Sequence, residues 1–478
     1  MNMDPPAGEA VADAAPPVDS TWKALHEAIR GTSADYTRIP LRRAVFLLSV
    51  PMVLELVLES TFAVVDIFFV AKLGASAVAT VGLTETYLFL LYSIAIGLAM
   101  AVTAVVARRV GEGRHEEAGV TAMQAVWIAV LASVPFAVVG IVWAQDLLRL
   151  MGADAWTLEH GYRYTQWMLG GNVVIMLLFV INAIFRGAGD AAIAMRVLWV
   201  ANGINIVLDP ILIFGFGPIP AMGVEGAAIA TNIGRGAGVL MQLWILLRGG
   251  KHIRVSTKQL ALRGAVLWNI VRTSLGGIGQ MIVAMTSWIF LVRILAGIGS
   301  EAVAGATIAL RILMFVLMPA WGMSNAAATL VGQNLGAGQP GRAEAAVWRT
   351  GWYNMAYTVV VSVVFFLFHD QLIGIFTSDA RVIEVGGEWL RILSYSCFVY
   401  GWWMVAVQAF NGAGDTVTPT KINVVFFWLV QIPLCWWLAV SLGWQHTGVF
   451  WGVFVSETSV GLFTLWLFSR GRWKTTTV

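Results

Sequence analysis

Three carboxylates, Glu55, Glu59 and Asp66, stand in a stretch from 44 to 70 that otherwise carries no charge. At ~100° per residue, Asp66 lies about 20° from each glutamate around a helix axis, so the three form one stripe. A second stripe follows at Asn202, Asn205 and Asp209, spaced i, i+3 and i+7 and therefore on one helix face. Asn182 and Glu85 stand in neighbouring apolar stretches. Acids in such surroundings are costly, which makes each a candidate for function. Two carboxylates with side-chain amides around them can hold a proton or a Na+. Pro210, directly after Asp209, has no backbone donor and is expected to loosen its helix and free carbonyls for water or a cation. The bland alternative is that Asp209 and Asn205 only satisfy each other and staple two helices.

These groups need a scaffold, and composition says which. Of 478 residues, 58% are hydrophobic and only 12% charged, where a soluble protein carries about 25% charged residues. Stretches of about 20 nearly charge-free residues are long enough to cross ~30 Å of hydrocarbon as helices. The alternation that marks a membrane barrel is absent. The chain reads as an all-α polytopic membrane protein with twelve transmembrane helices, near 44–70, 77–104, 120–144, 163–186, 196–216, 221–247, 266–293, 303–330, 348–369, 390–410, 422–442 and 447–468. Residues 1–40 read as a cytosolic tail with a short amphipathic stretch from Trp22 to Arg30, and residues 470–478 as a second tail. With both termini in the cytoplasm, most Lys and Arg fall in cytoplasmic segments, among them Arg42, Arg43, Arg108, Arg109, Arg186, Lys251, Arg254, Arg342 and Arg472. Arg235, Arg272 and Arg311 lie within spans or at their ends. The expected location is a bacterial cytoplasmic (inner) membrane. Cys397 and Cys435 are separate and inside spans, so neither a disulfide framework nor a metal site is implied.

The scaffold is written twice. Gly187-Ala188-Gly189-Asp190 recurs 225 positions on as Gly412-Ala413-Gly414-Asp415, each time after a hydrophobic helix. The same spacing aligns Gly97 with Gly322, Gly111 and Gly113 with Gly336 and Gly338, and Gly223-Val224 with Gly448-Val449. Six spans per copy is an even number, so the copies are parallel six-helix bundles, 41–247 and 266–469, joined by a basic cytoplasmic linker at 248–265. Such a layout encloses a central cleft. The Gly-Ala-Gly-Asp turns are expected to cap helix ends, with glycine supplying left-handed backbone angles.

The charges were not duplicated. Positions equivalent to Asp66 and Asp209 hold Leu291 and Leu434, Glu55 is matched by Gln280, and the clear acid of the second half is Glu457. An aromatic and Met-rich cleft with a few acids suits bulky, apolar cations. Trp402, Trp403, Trp428, Trp436 and Trp437 cluster in the second half. Glu55, Glu59, Glu85, Asn202, Gln280 and Trp402 are the expected lining residues.

At these residues the chain resembles the multidrug and toxic-compound extrusion (MATE) family over roughly 41–470. The resemblance is carried by Pro51, Val65-Asp66, Leu73-Gly74, Phe185 to Asp190, Asn205 to Pro210, Gly223 to Ala228, and Pro319, Gly322 and Val331 to Gly338. It implies a two-lobe antiporter of the MOP flippase superfamily fold that exports cationic drugs against H+ or Na+. Carried over by position, Asp66, Asn182, Asn205 and Asp209 match the cation-coupling network of the archaeal and DinF-like branch. The NorM-like branch uses acids in the seventh and tenth spans, where this chain has Gln280 and no carboxylate. Protons are therefore the favoured ion, with Na+ at Asp66 and Asp209 as the alternative.

A lipid or glycolipid flippase of the same superfamily is the nearest rival. It would need basic residues for phosphate, whereas the candidate cleft residues are acidic. No Gly-x4-Gly-Lys-Ser/Thr, His-Glu-x-x-His or Gly-x-Ser-x-Gly motif occurs, so neither an enzyme nor an ATP-driven pump is indicated. The expectation is a monomer in the lipid bilayer, with organic cations as partners, no nucleic acid and no cofactor beyond the coupling ion.

Overall fold

The computed structural model of the chain describes residues 20–32, 34–249, 253, 255 and 257–477. Residues 1–19 and Ser33 of the expected tail lie outside the described residues. So do Gly250, Lys251, His252, Arg254 and Ser256 of the linker, and Val478. The rest is helix upon helix, because in lipid every backbone donor and acceptor must be satisfied within its own segment. The amphipathic stretch forms α1 (Ser20–Arg30). Then come α2 (Leu41–Ala71), α3 (Ala75–Gly111), α4 (His115–Leu150), α5 (Tyr162–Gly170), α6 (Asn172–Ala188), α7 (Ala191–Phe214) and α8 (Val224–Arg248). The second half contains α9 (Gly264–Ala296), α10 (Ser300–Gly336), α11 (Pro340–Gly374), α12 (Ala380–Ser394), α13 (Cys397–Ala413), α14 (Val417–Asn423), α15 (Ile432–Trp436) and α16 (Gln445–Ser469).

Among the described residues, nine helical segments are long and apolar enough to cross a membrane, or ten when α12 and α13, bent by 63°, count as one. Helices α2 and α8, whose apolar runs carry the charged residues Glu55, Glu59, Asp66 and Arg235, bring the bundle to the twelve segments read from the sequence. Pro210 does not end its helix, since α7 runs on to Phe214. The eleventh segment is the irregular one. Its π-helical turns, Val424–Gln431 and Trp437–Ser441, flank α15, where Pro433 removes a donor.

The repeat extends to backbone irregularities. Helices α4 and α11 both leave helical angles at one residue, Trp143 (φ −119°) and Phe368 (φ −123°), which are repeat equivalents. The fourth and tenth spans break at equivalent places, Gly171 and Ser396. Gly189 (φ 91°) and Gly414 (φ 90°) take the left-handed angle at the ends of α6 and α13. After each glycine, an aspartate amide bonds back across the last turn: Asp190 to the Phe185 carbonyl at 2.8 Å and Asp415 to the Phe410 carbonyl at 3.0 Å.

The two copies meet reciprocally. A Cβ on Gly111 would lie 2.0 Å from the Gln333 carbonyl oxygen, and one on Gly336 would lie 2.3 Å from that of Arg108. Gly97 abuts Ile278 and Gly322 abuts Val53 in the same exchanged manner. Such swapped partners define a pseudo-two-fold axis between α3 and α10, as parallel repeats require. Each copy supplies most of one apolar core, the first running from Val70 to Leu246 with Ile270 of α9 joining it and the second from Leu291 to Val453.

Hydrogen bonds between the copies gather near the end that bears both termini. Thr329 donates to the Arg186 carbonyl at 3.1 Å, Gln333 to the Gly187 carbonyl at 3.0 Å, and Arg108 to the Thr476 carbonyl at 2.8 Å. Ahead of α2, the Tyr36 hydroxyl donates to the Gly189 carbonyl at 3.1 Å, while Arg342 of α11 donates to the carbonyls of Tyr36 and Ile39. The segment after α1 is thus a strap across both copies.

Candidate functional site

Two linked polar clusters lie inside the first bundle. The one nearer the termini is built on Glu55 of α2, which is buried. Its Oε1 accepts from Arg186 Nη1 at 3.1 Å and from Asn182 Nδ2 at 3.3 Å. Asn182 Oδ1 in turn accepts from Gln242 Nε2 at 2.5 Å. Arg186 reaches Glu55 because helical side chains tilt toward the N-terminus of their helix, so a residue at the end of α6 points back into the bundle. Arg186, expected among the cytoplasmic charges, instead points into the bundle. Asn182 accordingly serves Glu55, one turn or more from the pair it was grouped with.

The second cluster holds the remaining acids. Glu59 accepts from Arg235 Nη2 at 3.0 Å and from Asn202 Nδ2 at 3.3 Å. Asn205, with its amide nitrogen turned to the carboxylate, donates to Asp209 Oδ2 at 2.8 Å. Its oxygen then accepts from the Thr231 hydroxyl at 3.1 Å and the Thr231 amide at 2.9 Å. The close seat of α8 on α7 comes from Gly234, where a Cβ would meet the Ala201 carbonyl at 2.6 Å. Asp209 is fully buried, and its other oxygen, Oδ1, has no hydrogen-bond partner. Asp66 Oδ1 is likewise buried and unpartnered. The two aspartates lie within electrostatic reach of each other. Mutual satisfaction by Asn205 therefore covers one oxygen of Asp209 and leaves a second acceptor unpartnered within electrostatic reach of a second carboxylate, an arrangement that can bind a proton or a small cation.

Arg235 is the residue that sequence reasoning missed. It is buried on α8, its guanidinium lies 5.9 Å from the Phe62 ring, and it is within electrostatic reach of Asp66, Tyr92 and Tyr164. The signal was present in the sequence as one arginine between Gly234 and Gly236 in an apolar span. Its place within a span is legible there, but its acidic partners on α2 are not. Thr231 and Gln242 carry no comparable signal, since an isolated Thr or Gln in a span is commonplace.

The cleft between the bundles has a volume of about 240 Å³. Leu56, Glu59, Met100, Phe179 and Arg186 line it from the first copy, and Met318, Trp321, Asn325, Gln408 and Asn411 from the second. Glu59 is thus shared between the cleft and the second cluster. The opposite wall is a chain of amides: Gln280 Nε2 donates to Asn411 Oδ1 at 2.9 Å, Asn411 Nδ2 to Gln408 Oε1 at 3.1 Å, and Gln408 Nε2 to Asn325 Oδ1 at 2.8 Å.

Other expected lining residues lie elsewhere. Glu55 and Asn202 are buried behind the first wall, and Gln280 is buried behind Asn411, the lining residue of the second wall that it hydrogen-bonds. Trp402 packs among Trp348, Trp352 and Gly351 and donates to Met355 Sδ at 3.0 Å, within the second bundle. Glu85 is exposed on α3, within electrostatic reach of Arg311 on α10.

A family model described as MatE matches residues 51–211 and again residues 277–437, so the two matches begin 226 positions apart, one more than the spacing of the glycine turns. A probable multidrug resistance protein NorM of Thermotoga maritima is 27% identical over 91% of this chain and 93% of its own length. An FAD transporter of Shewanella oneidensis is 26% identical over 83% of this chain and 87% of its own. A solved structure, described as the outward-facing conformation of a multidrug resistance MATE family transporter of the MOP superfamily, superposes with a TM-score of 0.83. It is 24% identical and covers 95% of this chain and 99% of its own, and so supports the fold.

Proposed function

Because the chain belongs to the MatE family, we propose that it is a membrane antiporter, with no enzymatic step, that exports bulky organic cations by alternating access and is driven by protons. The observation that carries this reading is the pair of buried, unpartnered oxygens on Asp66 and Asp209. They stand in the same bundle as Glu59, which faces the cleft. Protonation neutralises the aspartates, while loss of the proton leaves charge that the surrounding helices must repack to accommodate.

We place both termini in the cytoplasm of a bacterial cell, on the strength of the Lys and Arg distribution. The lobes are then tied at the cytoplasmic end, and release toward the outside follows from rocking about the α3–α10 contact. The protein is taken to act as a monomer, since each copy of the repeat already supplies half of the cleft.

A second reading has its own support. Arg186 lines the cleft beside Glu59, so an amphoteric or anionic planar compound is also accommodated, and one relative is an FAD transporter. Transport into proteoliposomes tests both readings. Under an imposed pH gradient, ethidium should move against protons in the wild type and not in Asp209→Asn. Flavin nucleotide moving in place of ethidium would favour the second reading, and dependence on a Na+ gradient would favour sodium coupling.

A further inference from the structure

The second cluster contains a positive charge that nothing in the transport reaction consumes. Arg235 keeps its charge at any workable pH. It sits among Glu59, Asp66, Tyr92 and Tyr164. One guanidinium nitrogen is used on Glu59, while Nε and Nη1 are buried without a hydrogen-bond partner. Retreat is blocked on its own helix, because Gly234 presses α8 onto α7 at Asn205 and the Ala201 carbonyl. Phe62 lies against the guanidinium on the α2 side. A lone arginine held at such a depth is expensive unless acids nearby use it.

We propose that Arg235 is a tethered cation that sets ion specificity: it occupies the position a mobile alkali ion would take beside Glu59 and Asp66, and so restricts the coupling site to protons. This rests on the reading of Asp66 and Asp209 as the coupling pair. The argument is electrostatic. A Na+ ion keeps its full charge when bound, needs several oxygens around it and negative charge nearby to offset it, and it meets a fixed like charge within the same buried compartment. A proton sits covalently on one carboxylate oxygen and is neutralised there, so it needs no cage and tolerates the guanidinium. Glu55 does not supply the missing negative charge, being paired with Arg186. Glu85, on α3, lies within electrostatic reach of Asp66, and Arg311 of α10 opposes its charge.

The test is binding of radioactive ²²Na+ to the purified full-length protein by scintillation proximity, using wild type, Arg235→Gln, Arg235→Lys and Arg235→Gln combined with Asp209→Asn. Wild type and Arg235→Lys should show no saturable Na+ binding. Arg235→Gln should gain it, with affinity raised at least about tenfold, and the added Asp209→Asn should remove it again. Saturable Na+ binding by wild type that Asp209→Asn abolishes overturns the proposal. So does an Arg235→Gln protein that elutes as a single species and stays blind to Na+. If Arg235→Gln does not fold, the wild-type arm decides alone. A parallel assay of ethidium transport driven by a pH gradient in wild type separates the two ideas: its failure strikes the coupling reading, whereas the Na+ results strike only the role of Arg235.

Discussion

Asn205 donates to Asp209 at 2.8 Å and accepts from Thr231 with its other end, so one amide fixes the carboxylate of α7 against α8. That contact orients Asp209 and turns its free oxygen into the interior. Asn205→Ala should leave the fold intact and lower proton-driven transport by about tenfold or more. Asn205→Asp, which cannot donate when ionised, should behave like the alanine variant at pH 8. Transport assays in proteoliposomes distinguish this from a passive helix staple, which would lower thermal stability and leave the transport rate per folded molecule unchanged.

Glu55 and Arg186 form a buried pair that belongs to the scaffold as much as to the cleft. Removing one partner strands the other, at a cost of roughly 3–5 kcal/mol for a buried pair. Glu55→Gln should therefore lower the unfolding midpoint in detergent. The double variant with Arg186→Gln should recover part of the loss. A double variant destabilised by the sum of the two single losses would show that the pair is not coupled.

The architecture was legible in the sequence because its determinants are local or periodic. Hydrophobic length gave the spans, and the Gly189 and Gly414 turns gave the repeat. The acids were legible too, since an ionisable residue in a span stands out whatever it touches. What stayed hidden were the pairings. Glu55, Glu59 and Asp66 share one stripe on α2, yet they face different partners, because α6 approaches at one height and α8 at another. Arg186 and Arg235 are visible as charges, but Arg186, near the end of α6, reads as topology until its side-chain direction is known, and Arg235, mid-way along α8, shows no partner until α2 is placed beside it. Trp402 was one of many tryptophans, and only Gly351, which leaves room for its ring, decides that it packs inside the second bundle.

Gly111 and Gly336 set how closely the two copies approach. Gly111→Leu should drive α3 and α10 apart at the end bearing the termini, and Gly336→Leu should do the same by symmetry. Spin labels at Glu112 and Ala337 would report a longer separation in either variant. An unchanged distance in both would show that the contact does not limit closure.

The strap titrates. Burial pushes the Glu27 carboxyl up, but hydrogen bonds from Thr32 and Arg43 outweigh it and hold it below its ordinary value of 4.5. A depressed carboxyl stabilises docking at pH above that ordinary value, and the contribution is lost as pH falls through the lower, docked value. Protease cleavage after Arg30 should thus be slow at neutral pH and accelerate in acid below about pH 4. Glu27→Gln should cleave faster than wild type at neutral pH, and Arg342→Ala should do so at every pH. Cleavage of Glu27→Gln at the wild-type rate would detach Glu27 from the strap.

The most direct test of the account is to follow protons and substrate together. Wild-type proteoliposomes loaded with a pH-sensitive dye, given external ethidium and no Na+, should move protons in the direction opposite to ethidium. Asp66→Asn and Asp209→Asn should each abolish both fluxes. Ethidium transport by the wild type with no proton movement, or proton-coupled transport that survives in Asp209→Asn, would contradict the assignment of coupling to these two aspartates.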